Sequence, residues 1–297
     1  MDLSPSTGNR AKGIWCILAS AFGFALMAAA IRLCDDFGGP ISSFQKSFFR
    51  NLIALILAAS VYSRHKKGGG AAACRMWTLW LRAIIGTCGI FANFYALSHI
   101  PIAEGQTLNK TAPFFTVAFA WLFFGERMTL RQMGALVVAF GGVLLVAKPG
   151  FAGEATFPMA IGLLGGVCAG SAYACLRQLG LRGVDGAFVV LFFSVFSCLA
   201  SIPFMLFGFD PMTPWQVLIL LGAGGGAAIG QFGITAAYRY AAPRSIALFD
   251  YTSILFAALF GYVLFGQVPD GLSVLGFIVI IVAVWFVVKT NTRKPPR

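Results

Sequence analysis

Leu122 to Val146 reads LFFGERMTLRQMGALVVAFGGVLLV, and Val263 to Val288 reads VLFGQVPDGLSVLGFIVIIVAVWFVV. Each stretch joins an apolar run ending in Phe-Gly to a second apolar run through a short polar turn. Glycine after the last apolar residue stops a helix, because it enters the left-handed backbone region without steric cost. The same helix–turn–helix unit occurring twice indicates an internal repeat, and the rest of the chain can be counted outward from the two copies.

Ten apolar runs emerge, at 14–33, 41–62, 76–99, 101–124, 131–147, 157–180, 186–207, 213–239, 243–265 and 271–288. The composition says which solvent they face. Of 297 residues, 59% are apolar and 11% charged, and the mean hydropathy is +0.83. A water-soluble domain carries roughly 25% charged residues, so a soluble enzyme is excluded, as are disordered and fibrous chains. A helix crossing a bilayer needs about 20 apolar residues, which leaves almost no length for an extramembrane domain. The first run follows Arg10 and Lys12 and contains Ala28 to Ala30, but it is long enough to span and is expected to be an uncleaved helix rather than a signal peptide.

Charge sets the orientation. With the N-terminus cytoplasmic, 16 of the 22 Lys and Arg residues fall on the cytoplasmic side, Arg32 and Lys148 fall outside, and Lys46, Arg50, Arg82 and Lys110 lie within spans. This is the positive-inside pattern, and it explains the net charge of +12 without nucleic acid. The expected fold is an all-α membrane protein of ten transmembrane helices, with both termini cytoplasmic. Because five is odd, the second copy enters the membrane from the opposite side, giving two inverted five-helix repeats. The expected divisions are a tail at 1–12, repeats at 13–147 and 157–288, a linker at 148–156 and a basic tail at 289–297.

Gly125-Glu126-Arg127, the preceding Asn109-Lys110-Thr111-Ala112-Pro113 and the following Gly134 and Gly141-Gly142 resemble the EamA repeat of the drug/metabolite transporter superfamily. The resemblance covers nearly the whole chain. It implies two copies of the repeat, ten helices, and export of amino acids, drugs or other metabolites, aromatic amino acids among them. Two departures stand in the second copy: Gln267 replaces the Glu of the Gly-Glu turn, and Tyr251-Thr252-Ser253-Ile254 lacks the mid-helix Pro.

Ionisable groups deep in a membrane cost several kcal/mol each, so they face a partner or a wet cavity. Lys46 can snorkel to Asp35 or Asp36. Asp250 is the single acid deep in a span, which makes it the coupling candidate. Arg82 sits at similar depth, and an Arg82–Asp250 tie between the halves is expected. Arg50 and Lys110 have no deep acid beside them in the outer half, and Pro113 frees backbone groups near Lys110. The expected substrate-binding set is Arg50, Asn93, Tyr95, Gln106, Lys110, Tyr173, Gln231 and Tyr238, with Ser171 and Phe249 nearby; packing is the alternative for each. Trp77, Trp80, Trp121, Trp215 and Trp285 are expected at the lipid interface. Gly162, Gly166 and Gly170, and likewise Gly222, Gly226 and Gly230, form small-residue stripes that allow close packing, static or rocking.

Other functions lack their residues. Neither His65 nor His99 has an acid in suitable spacing for a membrane enzyme. No filter-like run suggests a channel, and no GxxxxGK[ST] loop an ATP-driven pump. The seven cysteines show no CxxC spacing, so no metal or cofactor is expected. A secondary transporter of the inner membrane remains, exporting small zwitterionic or anionic metabolites such as amino acids by alternating access. The alternative is an organic-cation exporter using Asp250. The expected partners are a small-molecule substrate and the lipid bilayer. The sequence sets no oligomeric state, and a monomer suffices.

Overall fold

A computed structural model of the protein describes residues 7–39, 41–64, 73–99, 108–126, 128–147 and 156–292. Among them the principal helices are α1 (Thr7–Asp36), α2 (Ser43–Arg64), α3 (Trp77–His99), α4 (Ala112–Phe124), α5 (Leu130–Ala147), α6 (Thr156–Leu181), α7 (Gly186–Phe207), α8 (Pro214–Tyr240), α9 (Thr252–Phe265) and α10 (Gly271–Thr292). They follow the ten expected runs closely, with two differences. The ninth run is not one helix: a turn at Pro243–Ile246 and a 3-10 stretch at Ala247–Tyr251 precede α9. In the fourth run, regular helix starts only at Ala112, and 101–107 lie outside the described residues.

Among the described residues, six stretches are long and apolar enough to cross a bilayer, and Ala112–Phe124, Leu130–Val146 and Gly271–Phe286 are shorter apolar helices. α2 carries Lys46, Arg50 and Asn51 in its first half and is more polar. Large apolar side chains cover the outside, Phe207 at 94% and Leu206 at 79% exposure. Water would not tolerate that surface, and hydrocarbon does. The protein is a multi-pass integral membrane protein. Trp77, Trp80, Trp121, Trp215 and Trp285 all lie on the exposed surface.

The echo between 122–146 and 263–288 is repeated in backbone geometry. Gly125 and Gly266 cap α4 and α9 with φ of 66° and 64°. Gly125 N donates to Trp121 O at 3.0 Å and Glu126 N to Ala120 O at 3.2 Å; Gly266 N donates to Tyr262 O at 3.0 Å and Gln267 N to Gly261 O at 3.1 Å. Both turns are αL caps, in which the glycine N–H bonds to the carbonyl four residues back. The starts of α4 and α9 match as well. Thr111 Oγ1 donates to Leu108 O at 2.6 Å, and Thr252 Oγ1 to Phe249 O at 2.7 Å. The second copy lacks the proline, but hydroxyls that capture nearby carbonyls break the helix at the equivalent place.

Helix pairing follows the same logic. α1 packs on α8 and α3 on α6; α4 packs on α6 and α9 on α1; α2 packs on α8 and α7 on α3; α2 meets α7, and α5 meets α10. Exchanging α1–α5 with α6–α10 returns the same set of pairs. Small residues permit these approaches. A Cβ on Gly23 of α1 would lie 2.7 Å from Gly226 O, one on Gly165 of α6 3.2 Å from Asn93 N, and one on Gly142 of α5 2.8 Å from Gly276 O. The clearest departure from the exchange is that α6 packs on α8, with Gly180 against the backbone of Arg239, whereas α1 and α3 do not pack in this way.

The glycine stripes divide. On α6, Gly162, Gly166 and Gly170 all press on the segment around the start of α4, meeting Leu108, Thr111 and Phe115 respectively. On α8, Gly226 and Gly230 meet Met27 and Phe24 of α1, but Gly222 has nothing within 4 Å. Gly222 therefore drops out of the expected stripe. Gly233, against Cys16 O and Ser20, takes the next contact instead, because the α1–α8 crossing is centred later along α8. Ser20 Oγ seals it with a hydrogen bond to Gly230 O at 2.7 Å.

Two apolar clusters meet on the broken entry to α9. Ile246 and Phe249 belong to one, with Ile17, Leu176, Ile234 and Tyr238. Leu248 and Tyr251 belong to the other, with Leu136, Val143 and Ile280. The 3-10 stretch is thus wedged between two cores, which holds Asp250 in place.

Candidate functional site

The two helix breaks face each other across the halves. Lys110, just before α4, places its Nζ 3.3 Å from Asp250 Oδ2 in the 3-10 stretch, and the side chains are 16% and 10% exposed. Lys110 also donates to Ser253 Oγ at 2.6 Å, and that hydroxyl donates to Asp250 O at 2.7 Å. This corrects two expectations: Lys110 does have an acid partner, contributed by the other half, and Asp250 does not pair with Arg82. The 3-10 turn carries the carboxylate toward the start of α4. The Arg82 guanidinium instead lies over the Phe193 ring of α7, 4.1 Å from its centroid.

Aromatic hydroxyls surround the pair. Tyr173 of α6 and Tyr238 of α8 stack with centroids 5.7 Å apart, and Tyr238 lies beside Thr116 of α4. Tyr173, Tyr238 and Tyr251 all lie within electrostatic reach of Asp250. The Tyr251 hydroxyl is buried without a hydrogen-bond partner. Arg50 and Arg82 both reach the field of Tyr173, and Arg50 also sits 5.7 Å from the centroid of Phe24. Asn93 Oδ1 and Gln231 Nε2 are buried and unpartnered. Buried amide atoms of that kind are costly unless something else completes them.

Other candidates sit elsewhere. Tyr95 is 37% exposed and shares the outward stripe of α3 with Trp77, Trp80 and Ile84. It stacks on His99 at 4.1 Å, so it is apart from the polar centre, because the helical period at 95 returns to the face carrying those residues. Phe249 is core at 3% exposure. Ser171 bonds to Val167 O in its own helix. Gln106 lies outside the described residues. Lys46 bonds to Asp35 at 2.8 Å, as its snorkelling length allows. Among the described residues no three His, Cys, Asp or Glu side chains converge as a metal site.

Ser253, Tyr251, Thr116 and Phe193 join the centre without having been singled out. Tyr251 and Ser253 flank Asp250 in sequence, which was a usable signal; Thr116 and Phe193 arrive only by packing.

The family model for EamA-like transporters matches twice, over residues 11–148 and 156–289. The chain belongs to the EamA-like transporter family. This EamA-like chain is 29% identical over 274 residues to the pseudopaline exporter CntI of Pseudomonas aeruginosa strain UCBPP-PA14, covering 92% of this chain and 94% of that protein. It is 27% identical over 225 residues to a riboflavin transporter of Vibrio cholerae, covering 74% of each. A solved crystal structure superposes with a TM-score of 0.83 at 16% identity, covering 96% of this chain and 100% of the other, which shows a shared fold. The EamA-like chain is accordingly a small-molecule transporter.

Proposed function

We propose that the protein is a secondary transporter that exports amino-acid-like zwitterions from the cytoplasm across the inner membrane. The observation that carries this is the Lys110–Asp250 pair, a cation from one half and an anion from the other, at two helix breaks. A bound zwitterion replaces that internal pair charge for charge: its carboxylate goes to Lys110 and its ammonium to Asp250, so neither buried group is left uncompensated. Gln231 and Asn93 supply unpartnered polar atoms, and Tyr173 and Tyr238 supply an aromatic wall suited to an aromatic side chain.

The halves are proposed to be inverted repeats, 13–147 and 157–288, with both termini cytoplasmic. The positive-inside count supports the orientation, and the exchange of helix pairs supports the repeat. Alternating access follows from the departure already described. α6 and α8 close against each other at the end bearing Arg177 and Arg239, while α1 and α3 remain apart; rocking of one half on the other exchanges the two. The relatives that transport pseudopaline and riboflavin support small organic metabolites as cargo.

Organic cations are the second substrate class, supported by the three tyrosines around Asp250. Proteoliposomes holding the purified protein separate the two. Saturable uptake of an amino acid, competed by other amino acids and exchanged in counterflow, is the expected result. Competition by organic cations alone overturns it. Counterflow with and without a pH gradient tests Asp250 as a proton carrier.

A further inference from the structure

Two arginines deep in the spans, Arg82 buried and Arg50 half-buried, have no carboxylate partner among the described residues. Arg82 is 2% exposed, its Nε has no hydrogen-bond partner, and its guanidinium lies 4.1 Å from the centroid of the Phe193 ring. Arg50 lies beside the Phe24 ring. Arg82 lies within electrostatic reach of Arg50, and both lie within reach of Tyr173. A structural cation in a membrane interior is tied to an acid, and among the described residues Arg82 has none.

The fold nevertheless reserves space for it. A Cβ on Gly86, one turn along α3, would occupy the position of an Arg82 guanidinium nitrogen. The site therefore carries more positive charge than Asp250 balances, and the surplus is a planar donor set suited to a carboxylate.

We propose that Arg82 and Arg50 form a second anion subsite, which receives a side-chain carboxylate, so that the cargo is a zwitterion bearing at least one carboxylate beyond that of its amino-acid head. This rests on the zwitterion assignment made above and narrows it. Lys110 and Asp250 hold the head of the molecule; the two arginines hold its acidic arm. Tyr173 lies within electrostatic reach of both subsites.

The test uses the full-length protein in proteoliposomes and two probes of one skeleton, glutamate and glutamine, which differ by carboxylate against amide. Native protein is expected to bind glutamate at least tenfold more strongly in competition. That ratio falls toward one in Arg82→Gln and recovers in part in Arg82→Lys. Gly86→Ala crowds the guanidinium without removing its charge and lowers the same ratio, which keeps the test open if Arg82→Gln does not fold. A native ratio near one overturns the subsite, as does an Arg82→Gln protein that weakens both probes equally. If neither probe competes in the native protein, the zwitterion assignment itself falls and the subsite with it. If both compete equally, the subsite alone falls.

Discussion

Lys110 and Asp250 meet at 3.3 Å from opposite halves of the chain, each beside an interrupted helix. Both groups are largely buried, so the loss of one leaves the other without compensation. Lys110→Ala and Asp250→Ala should each abolish transport and lower stability by about 3–5 kcal/mol, the usual effect of breaking a buried pair. The double Ala variant should regain much of the stability and none of the transport. Thermal unfolding in detergent beside flux in proteoliposomes checks both, and a transport-competent double variant would refute the assignment of these residues to the cargo.

Gly222 and Gly226 offer a contrast on one helix. A Cβ at Gly226 would meet Gly23 O and Met27 N at 2.9 Å, and one at Gly222 meets nothing within 4 Å. Gly222→Ala should be neutral or stabilise by up to about 1 kcal/mol, since helical Gly costs entropy. Gly226→Ala should destabilise and slow exchange between inward and outward states. Accessibility labelling from the two sides measures the exchange.

The turn after α4 carries an ion pair, Arg177 Nε to Glu126 Oε1 at 2.9 Å. The equivalent turn after α9 has Gln267, and Arg32 lies instead over the Phe265 ring, 5.2 Å from its centroid. Gln267→Glu should give Arg32 a carboxylate and add up to about 1 kcal/mol to that end of the molecule. The variant should show a shifted side preference in labelling and a slower turnover, while Glu126→Gln should shift labelling the other way.

Gln216 joins two loops. Its side chain completes a capping box with Thr213 and donates to Cys34 O at 3.3 Å and Gly39 O at 3.0 Å. Gln216→Ala removes half of the capping box, taking the acceptor from Thr213 N and the side-chain donor from Gly39 O, while Cys34 O keeps Phe37 N, for a loss of about 1–2 kcal/mol. A drop in unfolding temperature with unchanged selectivity between substrates is the expected outcome.

Helix number, span limits and the doubled Phe-Gly turn could be read from residues 122–146 and 263–288 because they rest on local rules: apolar length, terminator glycine and charge at span ends. The break before α9 was hidden, since Thr252 and Ser253 interrupt the helix without a proline to announce it. Tyr95 illustrates a different limit. Depth along a span is readable from position, but the face a side chain presents depends on how the helix is rotated against its neighbours.

The deep charges mark the boundary most clearly. That Arg50, Arg82, Lys110 and Asp250 lie within the membrane is a matter of counting residues from each span end, and a uniformly apolar surrounding makes each of them conspicuous. Which cation Asp250 holds was decided by the 3-10 turn, by the room left at Gly86 and by the approach of two halves far apart in sequence. Coulomb energy depends on distances between side chains on different helices, and only the packed bundle sets those distances.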